Sequence, residues 1–370
     1  MADSVRADML DADGAVLAAG IALTILSLAG LVVPVGQGLG DSVIWGALGL
    51  ALLTLTVFLA RYWGVLERSI GGPVAAVSSF GVVLLSGYAV NQGVTGGIGP
   101  GSGLSIPVVF GTFLTASVVT ALAIADYSGL STEDVLSRLV WFLAGCGIAI
   151  AGQAATIVFG VLLLSVGFLA VGSLSDTQTA VATQVGMAFG VTAVTAAYLS
   201  LSDQSTDFLD IRLPSLRDSA WLAGGLVGIF AALLAVSMLM TATGTESASH
   251  TTEQQAQQNP EALLILIPLA IFIIGPFEEL LYRNVIQKSL YEHFSRASAI
   301  VVASVVFAAV HLLAYRTAGP GAVLGSLGVV FALSLVLGVV YERTDNLVVP
   351  ALVHGVYDAV VFFNIYTAYV

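Results

Sequence analysis

The sequence is poor in charge: 9% of its 370 residues are Asp, Glu, Lys or Arg, where a soluble globular domain carries about 25%. Set against 58% apolar residues, that scarcity excludes an ordinary soluble enzyme. Lysine is nearly missing, with Lys288 standing beside ten arginines, and 11 basic against 23 acidic residues leave a net charge of −12. A nucleic-acid partner calls for the opposite sign, so none is expected. The single cysteine, Cys146, excludes an intramolecular disulfide and a thiolate zinc knuckle, and is expected to pack as a small apolar side chain. The N-terminus lacks the basic stretch that precedes the apolar core of a signal peptide and carries Asp3, Asp8, Asp11 and Asp13 with Arg6 instead. Its first apolar run is therefore expected to stay in place. The Gly-rich stretch 93–103 lacks the Gly-Lys-Ser/Thr ending of a phosphate loop and reads as a turn outside the membrane.

What the sequence has in quantity is long apolar runs. A bilayer core about 30 Å thick needs about 20 such residues at about 1.5 Å rise each. Runs meeting that test lie near 16–33, 43–60, 74–90, 104–124, 139–171, 180–201, 220–241, 262–292, 297–314, 322–340 and 347–369. The fold class is thus all-α, a polytopic integral membrane helix bundle of about eleven transmembrane helices. Seven spans fill an N-terminal region, 1–241, and four fill a C-terminal region, 261–370, with a polar loop at 242–260 between them. The run from 139 exceeds one upright crossing and is expected to tilt, kink near Gly152 or protrude. The loop from Thr243 to Pro260 has neither Lys nor Arg and is expected to be mobile, with His250 a solvated side chain.

Lys and Arg collect on the cytoplasmic side of a membrane. Along an alternating path, Arg6, Arg61, Arg68, Arg138, Arg212, Arg217, Lys288, Arg296 and Arg343 fall on one side, and Arg316 alone on the other. This predicts a multi-pass protein of the cell membrane, surrounded by membrane lipid, with its N-terminus cytoplasmic and its C-terminus extracytoplasmic. The acid excess and the preference for arginine resemble proteins of salt-loving archaea.

Ionisable groups at membrane depth are costly and face a protein or water-filled interior. The first seven runs contain no Asp, Glu, Lys, Arg or His. The last four contain Glu278, Glu279, Arg283, His311, His354 and Asp358, so chemistry is expected there. The apolar stretch 262–276 is about 22 Å of helix, shorter than the membrane core, so its helix must continue through both glutamates, with a possible kink at Pro276. With a turn near 294–296, Glu278 and His311 each lie about 16 residues from it, at matching depths of about 24 Å. Glu279 and Arg283 are four residues apart and can pair on one helix face. That leaves Glu278 free for another partner. His354 and Asp358 share a face by the same spacing, as do Phe307 and His311.

The runs Glu-Glu-Leu-Leu-Tyr-Arg (278–283), Phe-Ala-Ala-Val-His (307–311) and His-Gly-Val-Tyr-Asp (354–358) resemble the CPBP family of intramembrane proteases. That family includes CAAX prenyl-proteases and bacteriocin-processing, Abi-like proteins, and its motifs are EExxxR, FxxxH and HxxxN. The resemblance covers about the last 110 residues and departs at Asp358, where the family has Asn. It implies a protease core in the last four spans, with Glu278 as the general base for water and His311 as its helper. Glu279 and Arg283 would support the helix, and His354 with Asp358 would stabilise the oxyanion. An ionised Asp donates no hydrogen bond, so Asp358 would instead orient His354, bind a cation or be protonated.

Glu278, His311 and His354 also make a conceivable zinc set with an open water position; Zn and a metal-free glutamate mechanism both stand open. The implied partner is a membrane-associated or prenylated, CAAX-like protein or peptide substrate. Rival readings are a secondary transporter, for which the charge-free first seven spans and the lack of a repeat speak poorly, and a non-catalytic scaffold or immunity protein.

Overall fold

The computed structural model describes residues 2–94, 96–98 and 106–370. Its helices begin and end on local chemistry. Asp41 accepts the Ile44 N–H at the start of α2 (Ser42–Tyr62), which follows α1 (Ala2–Gly36). Reciprocal capping boxes, Ser175 with Gln178 and Ser215 with Asp218, open α6 (Asp176–Leu201) and α7 (Leu216–Thr243). Gly129 and Gly244 take the left-handed conformation and stop α4 (Val108–Ser128) and α7. Between α3 (Arg68–Asn91) and α4, Gly97–Ile98 pairs antiparallel with Ile106–Pro107. Residues 95 and 99–105 of the expected Gly-rich turn lie outside the described residues.

Among the described residues, ten helices are long and apolar enough to cross a membrane, and the protein is a polytopic helix bundle. The difference from eleven lies at 297–314. There the chain forms α10 (Arg296–Val310), 15 residues long, which ends at His311 before the one-turn α11 (Leu312–Tyr315). Alone, α10 is shorter than the roughly 20 residues a crossing needs, and His311 sits at the junction of α10 and α11 rather than inside one continuous helix. The long run becomes α5 (Thr132–Val171), a continuous helix of 40 residues without a break at Gly152.

The chain divides into two compact units. One comprises Met1–Leu139 with Pro320–Leu324. In it, Leu31, Ile44, Val82 and Val109 of four successive helices pack into one core, and Leu17, Phe58 and Ala123 into another. Its buried hydroxyls return to their own helices, as in Ser86 to the Val82 carbonyl (2.6 Å), or pair across helices, as in Thr54 with Ser78 (2.7 Å).

The second unit, Val140–Gly319 with Gly325–Val370, carries all six interior ionisable residues. The 242–260 segment is pinned rather than mobile. Ser326 accepts from the Ala248 N–H and donates to the Ala248 carbonyl, Thr317 donates to the Ser249 carbonyl (2.6 Å), and a short α8 (Thr251–Ala256) starts at His250. His250 is half-buried, accepts from the Thr252 N–H and meets Tyr315 edge-on, so it is held by the protein and not solvated. Its free Nδ1 is what makes it a cap.

The helix bearing both glutamates, α9 (Ala262–Leu290), contains two π segments, Ala270–Ile274 and Leu280–Gln287. The first closes with Gly275 N–H on the Ala270 carbonyl, just ahead of Pro276. The irregularity expected of Pro276 takes the form of this wide turn, which makes room where proline supplies no N–H. The second π segment alters the helical phase so that residues 281–287 are all buried. Two helices close the unit, α12 (Pro320–Thr344) and α13 (Val348–Tyr369). A Cβ at Gly275 would lie 2.5 Å from the Ala351 carbonyl, and one at Gly355 would lie 2.6 Å from the Ala270 carbonyl. Only glycine lets α9 and α13 cross this closely.

Candidate active site

That crossing sets the site. Gly355 follows His354 in α13, and Gly275 precedes the glutamates by one turn in α9, so backbone contact at the glycines carries His354 onto the glutamate face. His354 Nδ1 lies 2.9 Å from Glu279 Oε1, and Glu279 Oε2 accepts from Arg283 Nε at 2.9 Å. Glu279 and Arg283 are 0% exposed. Arg283 also donates to Ser334 Oγ of α12 (2.8 Å) and lies 5.2 Å over the Phe307 ring. A carboxylate held by a guanidinium accepts, so the Nδ1 of His354 carries the hydrogen and its Nε2 points the other way. There it lies 3.5 Å from Asp358 Oδ2 and 3.9 Å from Glu278 Oε2.

The two adjacent glutamates therefore have different settings. Glu279 is enclosed between a guanidinium and an imidazole. Glu278 is 21% exposed and borders a small cavity, about 40 Å³, which it shares with Tyr282 and His311. Gly152 of α5 with Met187 and Val191 of α6 form the facing wall. His311 Nδ1 lies 2.7 Å from the Phe307 carbonyl, which can only accept, so its Nε2 is the basic nitrogen. The Phe307 ring stands 4.5 Å from His311, 5.9 Å from His354 and 4.9 Å from Tyr282, centroid to centroid. It is a wall shared by both imidazoles and the arginine.

The structure thus gathers Glu278, Glu279, Arg283, His354 and Asp358 into one chain of polar contacts and places His311 on the same cavity as Glu278. Among the described residues no group of three or more His, Cys, Asp or Glu side chains is placed to hold a metal ion.

Sequence reasoning missed a second polar cluster, one to two turns further along α9. Asn284 donates to Tyr341 Oη (2.9 Å), Tyr341 donates to Asp210 (2.5 Å), and Lys288 donates to both Asp210 oxygens at 2.8 Å and to the Phe208 carbonyl at 2.7 Å. Gln287 donates to the Gly338 carbonyl (3.0 Å). These bonds tie the α6–α7 connection and α12 to α9 and hold the helix that carries the glutamates. Its signal was Asn284 and Gln287 directly after Arg283, but regular helix spacing gave no reason to bury both together.

Residues 260–360 match the family model described as type II CAAX prenyl endopeptidase Rce1-like. The chain carries an Rce1-like region. It includes α9 to α12 and the site half of α13, and ends two residues past Asp358. The α5 and α6 wall of the cavity lies outside the matched segment. No curated protein and no solved structure matches the chain.

Proposed function

We propose that the protein is an intramembrane endopeptidase that hydrolyses a peptide bond of a membrane-associated, CAAX-like protein substrate, with Glu278 as general base. The observation that carries this reading is the asymmetry of the two glutamates: Glu279 is locked to Arg283 and His354, while Glu278 lines a cavity that His311 also lines. A water in that cavity gives one proton to Glu278 and directs the other at His311 Nε2, so its oxygen is free to attack the substrate carbonyl carbon. The tetrahedral oxyanion accepts from protonated His354 Nε2, which Glu279 orients through Nδ1. Asp358 lies 3.5 Å from that nitrogen and helps to hold the imidazole in place. The proton on Glu278 passes to the leaving amine as the C–N bond breaks, and the carboxylate is restored. No step passes through a metal. With the N-terminus cytoplasmic, the ends of α9 and α10 near Lys288 and Arg296 face the cytoplasm.

The test is cleavage of a prenylated CAAX peptide by the purified protein in liposomes. Glu278→Ala should lower the rate by about 10²–10⁴, the range of a general base, with an unchanged unfolding temperature. His311→Ala should do likewise, His354→Ala should lower the rate and, by taking a partner from buried Glu279, lower the unfolding temperature as well, and Asp358→Asn should keep activity. Full activity in Glu278→Ala would overturn the assignment.

A further inference from the structure

The wall opposite the glutamate carries two polar side chains that the proposed mechanism does not use. Gln153 and Thr156, three residues apart on α5, line the same cavity as Glu278 and His311. Both are half-buried, while their neighbours Ile150, Ile157 and Val158 are exposed on the apolar side of the helix. Some hydroxyls on α5 and α6 close on their own helix, Ser165 on the Val161 carbonyl (2.7 Å), Thr183 on Thr179 (2.9 Å) and Thr192 on Ala188 (2.7 Å), whereas Thr195 of α6 is buried without a partner. Thr156 and Gln153 make no such bond among the described residues. At membrane depth a carboxamide without a partner is costly, which marks it as functional rather than as packing. Gly152 beside it packs directly on Leu281 of α9, which fixes the distance from Gln153 to the catalytic face.

We propose that Gln153, with Thr156 one turn along, binds the backbone of the substrate peptide as it lies extended across Glu278. A carboxamide presents both a donor and an acceptor and so complements an N–H and a C=O of an extended chain. It recognises main chain and leaves side-chain choice to the apolar walls. The proposal rests on the endopeptidase reading, but its test separates the two.

Binding of a fluorescent prenylated peptide is measured on Glu278→Gln protein with Gln153 intact or changed to Leu or Met, alongside KM and kcat in the cleaving protein. Loss of Gln153 should weaken binding and raise KM about tenfold, the size of one or two hydrogen bonds, with little change in kcat and an unchanged unfolding temperature. In a series of peptides methylated singly at each backbone nitrogen, one should bind about tenfold more weakly to intact Gln153. That peptide should lose nothing further in Gln153→Leu. Equal affinity of Gln153→Leu, Gln153→Met and the intact residue, or strictly additive losses across the series, would overturn the proposal. If Glu278→Ala abolishes cleavage while Gln153→Leu changes nothing, only this inference fails. If Glu278→Ala cleaves normally, or no peptide binds, the endopeptidase reading fails with it.

Discussion

The two units of the chain bury polar groups in opposite ways. In the N-terminal one, hydroxyls inside the bundle close on carbonyls one turn back or on each other, and the buried ion pair Arg61 to Asp126 (2.7 Å) joins the ends of α2 and α4. In the C-terminal one, Arg283, Glu279 and His354 stand in series inside the bundle, and two carboxylates flank the outer nitrogen of the imidazole. Self-satisfied hydroxyls cost little and ask little of neighbouring helices. A buried charge chain demands that three helices hold a fixed register, which is a reason to expect function where it occurs.

The contrast can be broken most severely at the chain's centre. Arg283→Met leaves Glu279 buried without its guanidinium and should destabilise the protein by about 3–5 kcal/mol, read from unfolding in detergent. A loss below about 1 kcal/mol would make the C-terminal unit no more dependent on its charges than the N-terminal one. Next, Gly355→Ala forces a Cβ against the Ala270 carbonyl. It should cost about 1–3 kcal/mol and, by shifting His354, lower cleavage about 10²-fold; retained activity would show that the crossing does not position the histidine. In the other unit, Thr54→Val removes one hydroxyl bonded to Leu50 and Ser78 and should change stability by no more than about 1 kcal/mol. A drop as large as that of Arg283→Met would erase the comparison.

The smallest effect concerns pH. Burial, with repulsion from His311 added, pushes His250 down from its ordinary 6.5 to about 4. The unfolded segment therefore binds more protons than the folded one between these values, and the pinning of residues 244–261 should be complete above about pH 6.5 and fade as pH falls toward 4. Hydrogen exchange of this segment should quicken across that window, and His250→Asn should flatten the dependence. A segment that loosens equally in His250→Asn would assign the effect to another group.

The motifs, their order and the pairing of Glu279 with Arg283 were legible because i, i+4 spacing follows from the helix itself. The matched depth of Glu278 and His311 was legible from chain length alone. The π segments of α9 were not, since a hydrophobic pattern assumes a regular period and the burial of 281–287 departs from it. Nor was the break between α10 and α11, since the apolar composition continues to Ala314 while α10 stops at Val310.

Composition and run length by themselves determined that this is a membrane helix bundle, because a chain so apolar has few other ways to satisfy its backbone. They also determined which residues were candidates for chemistry, because charge at that depth is scarce. Spacing already paired Glu279 with Arg283, and tertiary structure alone decided that His354 closes on Glu279 as well and that Glu278 lines the cavity. The two are neighbours in sequence with the same chemistry, and what separates them is the crossing of α9 and α13 at Gly275 and Gly355, a backbone contact between residues 80 positions apart.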